Sequence, residues 1–212
     1  MAPWIRVLRT IAGLGAVLCC LAGGAMADAP RPDAGDGTIA VADLKADFEA
    51  LYTGLQSAHF NLYVHRPKPD YDALYTRMLE DLETPLTPFE ARVRFQRFVA
   101  YGNVAHARID LPRTVYDTYR DGGGRSLPLY PRIVDGRFYV GEIYADGVPI
   151  RPGDEVLSID GDPAARWLER TARVVSADTP YLAHSLLEFL FPFLLWLERG
   201  AVEDFLSGVL SA

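Results

Sequence analysis

Two lysines, four histidines and a few serines are the groups in this 212-residue chain that could carry acid–base or nucleophilic chemistry. A lysine that serves as base for a serine has to be held neutral by burial, within hydrogen-bond reach of the hydroxyl. Lys45 stands beside Asp43, Asp47 and Glu49, which favour its charged form, and Lys68 lies between Pro67 and Pro69. Neither meets the requirement. His59, His65, His106 and His184 with Ser57, Ser126, Ser158 or Ser185 are the serine–histidine candidates, yet no Gly-x-Ser-x-Gly elbow accompanies any of them. Ser185 adjoins His184 on a predicted helix, where sequence neighbours face apart. The histidines also lack the two-ligand spacing of a metal site, so neither metal nor cofactor is expected, and His106 reads as a ring that fixes its own loop. His184 and Glu188 are four apart and read as an ordinary ion pair on one helix face. No catalytic residue is assigned.

Binding signals are stronger than catalytic ones. Ile150 to Pro163, reading IRPGDEVLSIDGDP, has the turn-and-strand pattern of a PDZ-type module, which adds an extended peptide as an extra strand and holds its terminal carboxylate with loop N–H groups. The nearest equivalent of a carboxylate loop is Gly122-Gly123-Gly124-Arg125-Ser126-Leu127, which makes Gly123, Gly124, Arg125 and Leu127 the candidate peptide-binding residues. A triple glycine is more often a flexible connection. The Asp146-Gly147-Val148 link is shorter than the helix-bearing connection many PDZ domains have there, which argues against a complete groove.

The elements that must position these groups fall into two sets. Leu44, Phe48, Leu51 and Leu55 recur at helical spacing from Asp43 to about Ser57. A second helix is expected over Tyr71–Glu83 with Asp70 as cap, and a third opens at Thr87-Pro88-Phe89-Glu90, a capping box with proline at the first helical position. After Leu111-Pro112 the pattern turns to strands: Leu127–Val134 and Arg137–Tyr144 around an Asp135-Gly136 hairpin turn, then Glu155–Ile159 closed by Asp160-Gly161. A helix follows from Pro163 to about Val175. Tyr181 to Leu197 is nearly all apolar, but it is short for a membrane span, carries Glu188, and would be interrupted by Pro192. It is expected to be a buried element whose cover lies outside this chain.

Composition bounds the setting. Residues 1–27 read as a secretory signal: Arg6 and Arg9, an apolar run from Ile11 to Ala22, and an Ala25-Met26-Ala27 cleavage site. Both cysteines, Cys19 and Cys20, fall inside it, so the exported chain would have neither disulfide nor thiol, as suits a bacterial periplasm or exterior. Loss of the two arginines takes the formal charge from −7 to about −9, which makes nucleic acid an unsuitable partner.

Three stretches together resemble the N-terminal half of a secreted serine peptidase of the C-terminal processing (tail-specific) protease family. His59-Phe60-Asn61-Leu62-Tyr63 is similar to a His-Pro-Asn-Leu-Tyr type sequence in the helical leader of many members, and Tyr101 to Arg108 sits where relatives have a Gly-Asp-Gly-His-Thr type loop. Pro152 to Gly161 is similar to their PDZ-like core. The resemblance implies an α+β chain: signal peptide 1–27, flexible leader 28–39, a small helical domain over 40–105 and a PDZ-like β domain over 112–176. Residues 177–212 would be an apolar helical segment that starts a catalytic α/β domain absent from this sequence. The implied function is the substrate-binding half of a partial or truncated serine-type peptidase, with peptide or unfolded protein as substrate and a downstream domain supplying the Ser/Lys dyad. The alternative is a non-enzymatic exported protein that binds peptides or docks on a protease. N-terminal sequencing of the protein from its own cells is expected to read from Asp28; an intact Met1 start would overturn the signal-peptide reading.

Overall fold

The computed structural model describes residues 37–146 and 150–200, together with the backbone of 210–211. The signal sequence and most of the leader lie outside the described residues, as does Gly147-Val148 of the short link. The architecture is α+β, with four helices followed by small antiparallel sheets and two further helices.

The first helix, α1 (Val41–Ala58), buries Leu44, Phe48 and Tyr52, spaced one turn apart. The second, α2 (Lys68–Glu80), starts before the expected Asp70 cap. Pro69 falls in its first turn, where a missing N–H costs nothing, so the proline belongs to the helix instead of preceding it. It also ends three residues before Glu83, and Leu82 is buried beyond its end. The third, α3 (Pro88–Tyr101), has the predicted capping box: Glu90 N–H donates to Thr87 Oγ1 at 3.2 Å and Thr87 N–H to Glu90 Oε2 at 2.9 Å. These helices enclose an aromatic core in which Phe98 meets Phe48, Tyr52 and Tyr71 edge-on at ring separations of 4.8–5.2 Å. The opposite face of α3, through Phe89 and Val93, belongs to a second core. One helix thus forms the wall between two interiors.

A fourth helix, α4 (Arg113–Asp121), replaces the strand-and-turn structure expected after Pro112. No side chain caps its start, so nothing at its N-terminal end announces it, and Gly122 at its C-cap reads in the sequence as part of a glycine loop. Two strands follow, β1 (Leu129–Val134) and β2 (Arg137–Ile143), paired antiparallel with Val134 opposite Arg137. Asp135 (φ 50°) and Gly136 (φ 74°) make the two-residue turn whose positive φ matches strand twist. The same geometry at Asp160 (φ 54°) and Gly161 (φ 81°) joins β3 (Val156–Ile159) to β4 (Asp162–Pro163). The next helix, α5 (Ala164–Ala172), ends before the expected Val175. The last, α6 (Pro180–Arg199), runs unbroken through Pro192, contrary to the expected interruption. The short strand β5 (Leu210–Ser211) pairs antiparallel with β3.

By length and composition α6 could cross a membrane, yet Leu187, Phe191, Phe193, Leu194, Leu195, Trp196 and Leu197 are buried. They share the second core with Val115 and Tyr116 of α4, Leu129 and Ile133 of β1, Phe138 and Val140 of β2, and Trp167 of α5. The cover expected outside the chain is therefore provided within it, by elements that are individually too small to show as partners in the sequence. At its C-terminal end Arg199 forms an ion pair with Asp160; burial pushes the Asp160 carboxyl up and the arginine pulls it back.

Burial pushes the Tyr71 phenol up to about 12 from 10.0, and its hydroxyl donates to the backbone of Phe98 and Val99 at 3.3 Å. A phenol raised on folding contributes stability that is intact below its unfolded value and lost as pH rises through the folded one. Denaturant melts should therefore show stability falling between pH 10.0 and about 12, with Tyr71→Phe flattening that slope. An equal slope in the variant would assign it to other groups.

Candidate functional site

The hairpin β1–β2 has two edges. On the β2 side Val140 N–H donates to Asp154 O at 2.9 Å and Gly153 N–H to Val140 O at 2.7 Å, so the turn before β3 already fills that edge. On the β1 side the pairing register points Pro131 and Ile133 outward. Proline brings no donor to that edge. Ile133 N–H donates to Glu188 Oε1 of α6 at 2.7 Å, while Arg132 reaches Glu188 Oε2 at 3.1 Å. The Glu188 carboxylate, 8% exposed, thus takes the place that a carbonyl of an added strand would occupy. The expected His184–Glu188 pair is replaced by this cross-element bond, because Glu188 faces β1 and not the outer surface of its helix.

The glycine loop is built into the end of α4. Gly122, Gly123 and Gly124 N–H groups donate to the carbonyls of Thr118, Arg120 and Tyr119 at 2.8–3.0 Å, satisfying the last turn of that helix. Gly123 has φ 90°, and a Cβ at Gly124 would lie 2.5 Å from both the ring and the carbonyl of Tyr119. Tyr119 OH closes the loop by donating to Arg125 O at 2.9 Å. Leu127 is 3% exposed within the second core, and Ser126 Oγ bonds to Tyr116 OH.

The potential nucleophiles and bases are dispersed. Lys68 is exposed and pairs with Asp72 at 2.8 Å; that bond holds the ammonium up and the Asp72 carboxyl below its ordinary value. Ser57 Oγ donates to Gly54 O at 3.0 Å. Among the described residues no group of three histidines, cysteines or carboxylates could hold a metal ion.

Sequence reading missed Gln96, which is 2% exposed on α3. Its Oε1 accepts from Ile109 N–H at 2.6 Å, and its Nε2 donates to Val174 O at 2.9 Å and Ser176 Oγ at 3.2 Å. One amide thereby ties the loop after α3, which includes His106, to the segment after α5. A polar residue among Val93, Phe95, Phe98 and Val99 was the available signal.

Residues 141–187, from the end of β2 to the first half of α6, match the family model described as the N-terminal domain of the Bacteroidetes S41 peptidase family. The likeness to that family is carried by this stretch. No curated protein matches the chain. Among solved structures, a crystal structure of a mutant of the protein cpaf is similar to it with a TM-score of 0.47 and 20% identity, covering 70% of this chain and 28% of that one. The chain spans little more than a quarter of that protein's solved length. The matched stretch carries β3, β4 and α5 entire, and of these α5 packs against α6.

Replacing Glu188 by Ala should destabilise the fold by about 1–3 kcal/mol, the cost of an unpaired buried N–H. Exchange of the Ile133 amide should quicken, whereas Arg132→Ala, at the exposed end of the pair, should cost under about 1 kcal/mol. Equal losses in the two variants would show that the β1 edge is not held by this carboxylate.

Proposed function

We propose that this chain supplies the substrate-binding, non-catalytic part of an S41-type serine peptidase that acts on exported proteins. The observation that carries the reading is the coincidence of the family-matched residues 141–187 with the strand–turn–strand–helix unit β3–β4–α5 and its neighbours. In this reading β1, β2, β3, β4 and α5 form a PDZ-like unit, and the helices α1–α3 form the leader domain before it. Catalysis is left to residues beyond those described, since Lys68 is tied to Asp72 in its charged form and Lys45 sits on an acidic helix.

Peptide contact is confined by the geometry. Ile133 N–H is occupied by Glu188, and the Gly123 and Gly124 N–H groups are occupied by α4; in the proposed site of Gly123, Gly124, Arg125 and Leu127 the one cationic side chain is that of Arg125. Leu127 would act by anchoring the loop to the core. A guanidinium–carboxylate bond is directional and charge-assisted.

The engagement of Lys68 with Asp72 favours a second reading, an exported protein that binds peptides or docks on a protease without cutting. Peptide binding is common to the first reading and the peptide-binding form of the second, and only the first requires hydrolysis by the native product. Calorimetric titration with apolar-ended peptides should give micromolar-range binding, weakened about tenfold by C-terminal amidation or by Arg125→Ala. Insensitivity to both changes would sink the carboxylate site. A native product unable to cleave unfolded protein would leave the second reading.

A further inference from the structure

We propose that the cavity between α6, the loop over residues 105–113 and the segment over residues 174–176 binds a medium-chain acyl carboxylate, its chain lying on α6 and its headgroup at an arginine rim. This goes beyond the peptidase reading and does not depend on it. The cavity measures about 500 Å³, within the size range of small-molecule sites. Leu182, Leu186, Leu190 and Phe193 of α6 form one wall, with Leu111 and Val175 opposite.

The polar groups inside it select against a peptide. Gln96 and Ser176 also line the cavity, but they are engaged with each other and with the backbone of Ile109 and Val174. A peptide placed there would bring an N–H and a C=O at every residue and find no partners for them on this wall. An alkyl chain brings none, and each methylene it buries adds about fourfold to affinity.

The rim supplies the charge. Arg108, Arg113 and His106 stand at the cavity with Asp110 as the acidic member. Arg108 pairs with Asp110 at 3.3 Å, both strongly exposed, and Arg113 approaches Asp117 only to 4.0 Å while lying over the Phe189 ring at 5.9 Å. Exposed pairs of this kind hold their partners weakly, so both guanidinium groups can turn to a carboxylate arriving at the mouth. Phe189, 64% exposed, lies against Arg113 and extends apolar surface outside the cavity. In a chain of net charge −7, this cationic mouth above an apolar floor is complementary to an anionic amphiphile.

The test is calorimetric titration of the full chain with decanoate below its micellar concentration, alongside hexanoate, decanol and decyltrimethylammonium. Decanoate is expected to bind in the micromolar range, with hexanoate roughly 250-fold weaker and decanol and the cation at least about tenfold weaker. Arg108→Ala combined with Arg113→Ala should weaken decanoate about tenfold and leave decanol unchanged. Leu186→Trp, which fills the cavity, should abolish both. If that variant does not fold, contacts between decanoate and the methyl groups of Leu186 and Leu190 in the unmodified chain locate the ligand by NMR. Absence of binding at millimolar decanoate overturns the proposal, as does equal binding of the cation, which would mean detergent-like uptake. Tighter displacement by a peptide with a free carboxylate would also overturn it, in favour of peptide capture. An Arg125→Ala variant that loses peptide but keeps decanoate separates failure of the peptidase reading from failure of this one.

Discussion

The constraint on which the rest of the structure depends is the apolar surface of α6. Burying a large aliphatic or aromatic side chain is worth roughly 1.5–3 kcal/mol, and this helix buries seven of them. Left in water it would drive aggregation; wrapped by β1, β2, α4 and α5 it becomes the centre of the larger core. The small sheets acquire stability the same way. A two-stranded hairpin is marginal by itself, and here β1 lies along α6, with Glu188 meeting the backbone donor that its second edge would otherwise leave unpaired. Burial and polar satisfaction thus come from the same helix.

That arrangement separates two properties that a PDZ-type pattern would lead one to join. The tight turns and short strands expected from the sequence form, but the outer edge of β1 is blunted by Pro131 and closed by Glu188. Proline and an inward carboxylate are devices by which strand edges avoid unwanted pairing. In the two proposals, recognition falls instead to side chains: Arg125 on its loop, and Arg108 and Arg113 above the cavity.

Features set by a few adjacent residues were legible in the sequence. Thr87 and Glu90 announced the start of α3, and Asp135-Gly136 and Asp160-Gly161 announced the tight turns, because each is a local geometric demand met by a particular residue type. The start of α2 was misplaced because a proline before an aromatic stripe reads as a boundary, although the first helical turn tolerates it. Helix α4 escaped because its stability comes from Val115 and Tyr116 packing on a helix some eighty residues away, with no side-chain cap at its start. The roles of Glu188 and Gln96 were hidden for the same reason. Glu188 could be assigned to His184 by spacing, but its partner is 55 positions away in the chain, and Gln96 joins segments separated by 13 and 78 positions. The glycine loop was found, yet its N–H groups serve the end of a helix that had not been recognised.

Finally, α3 presents Ala91 and Phe98 to one interior and Phe89 and Val93 to the other, with Gln96 between them as a polar clamp. Each added or deleted residue turns the remainder of an α-helix by about 100°. An insertion or deletion in mid-helix would therefore misalign both packing faces and the clamp at once. Loops elsewhere in the chain can change length at little cost, but α3 is a segment whose residue count is itself part of the fold.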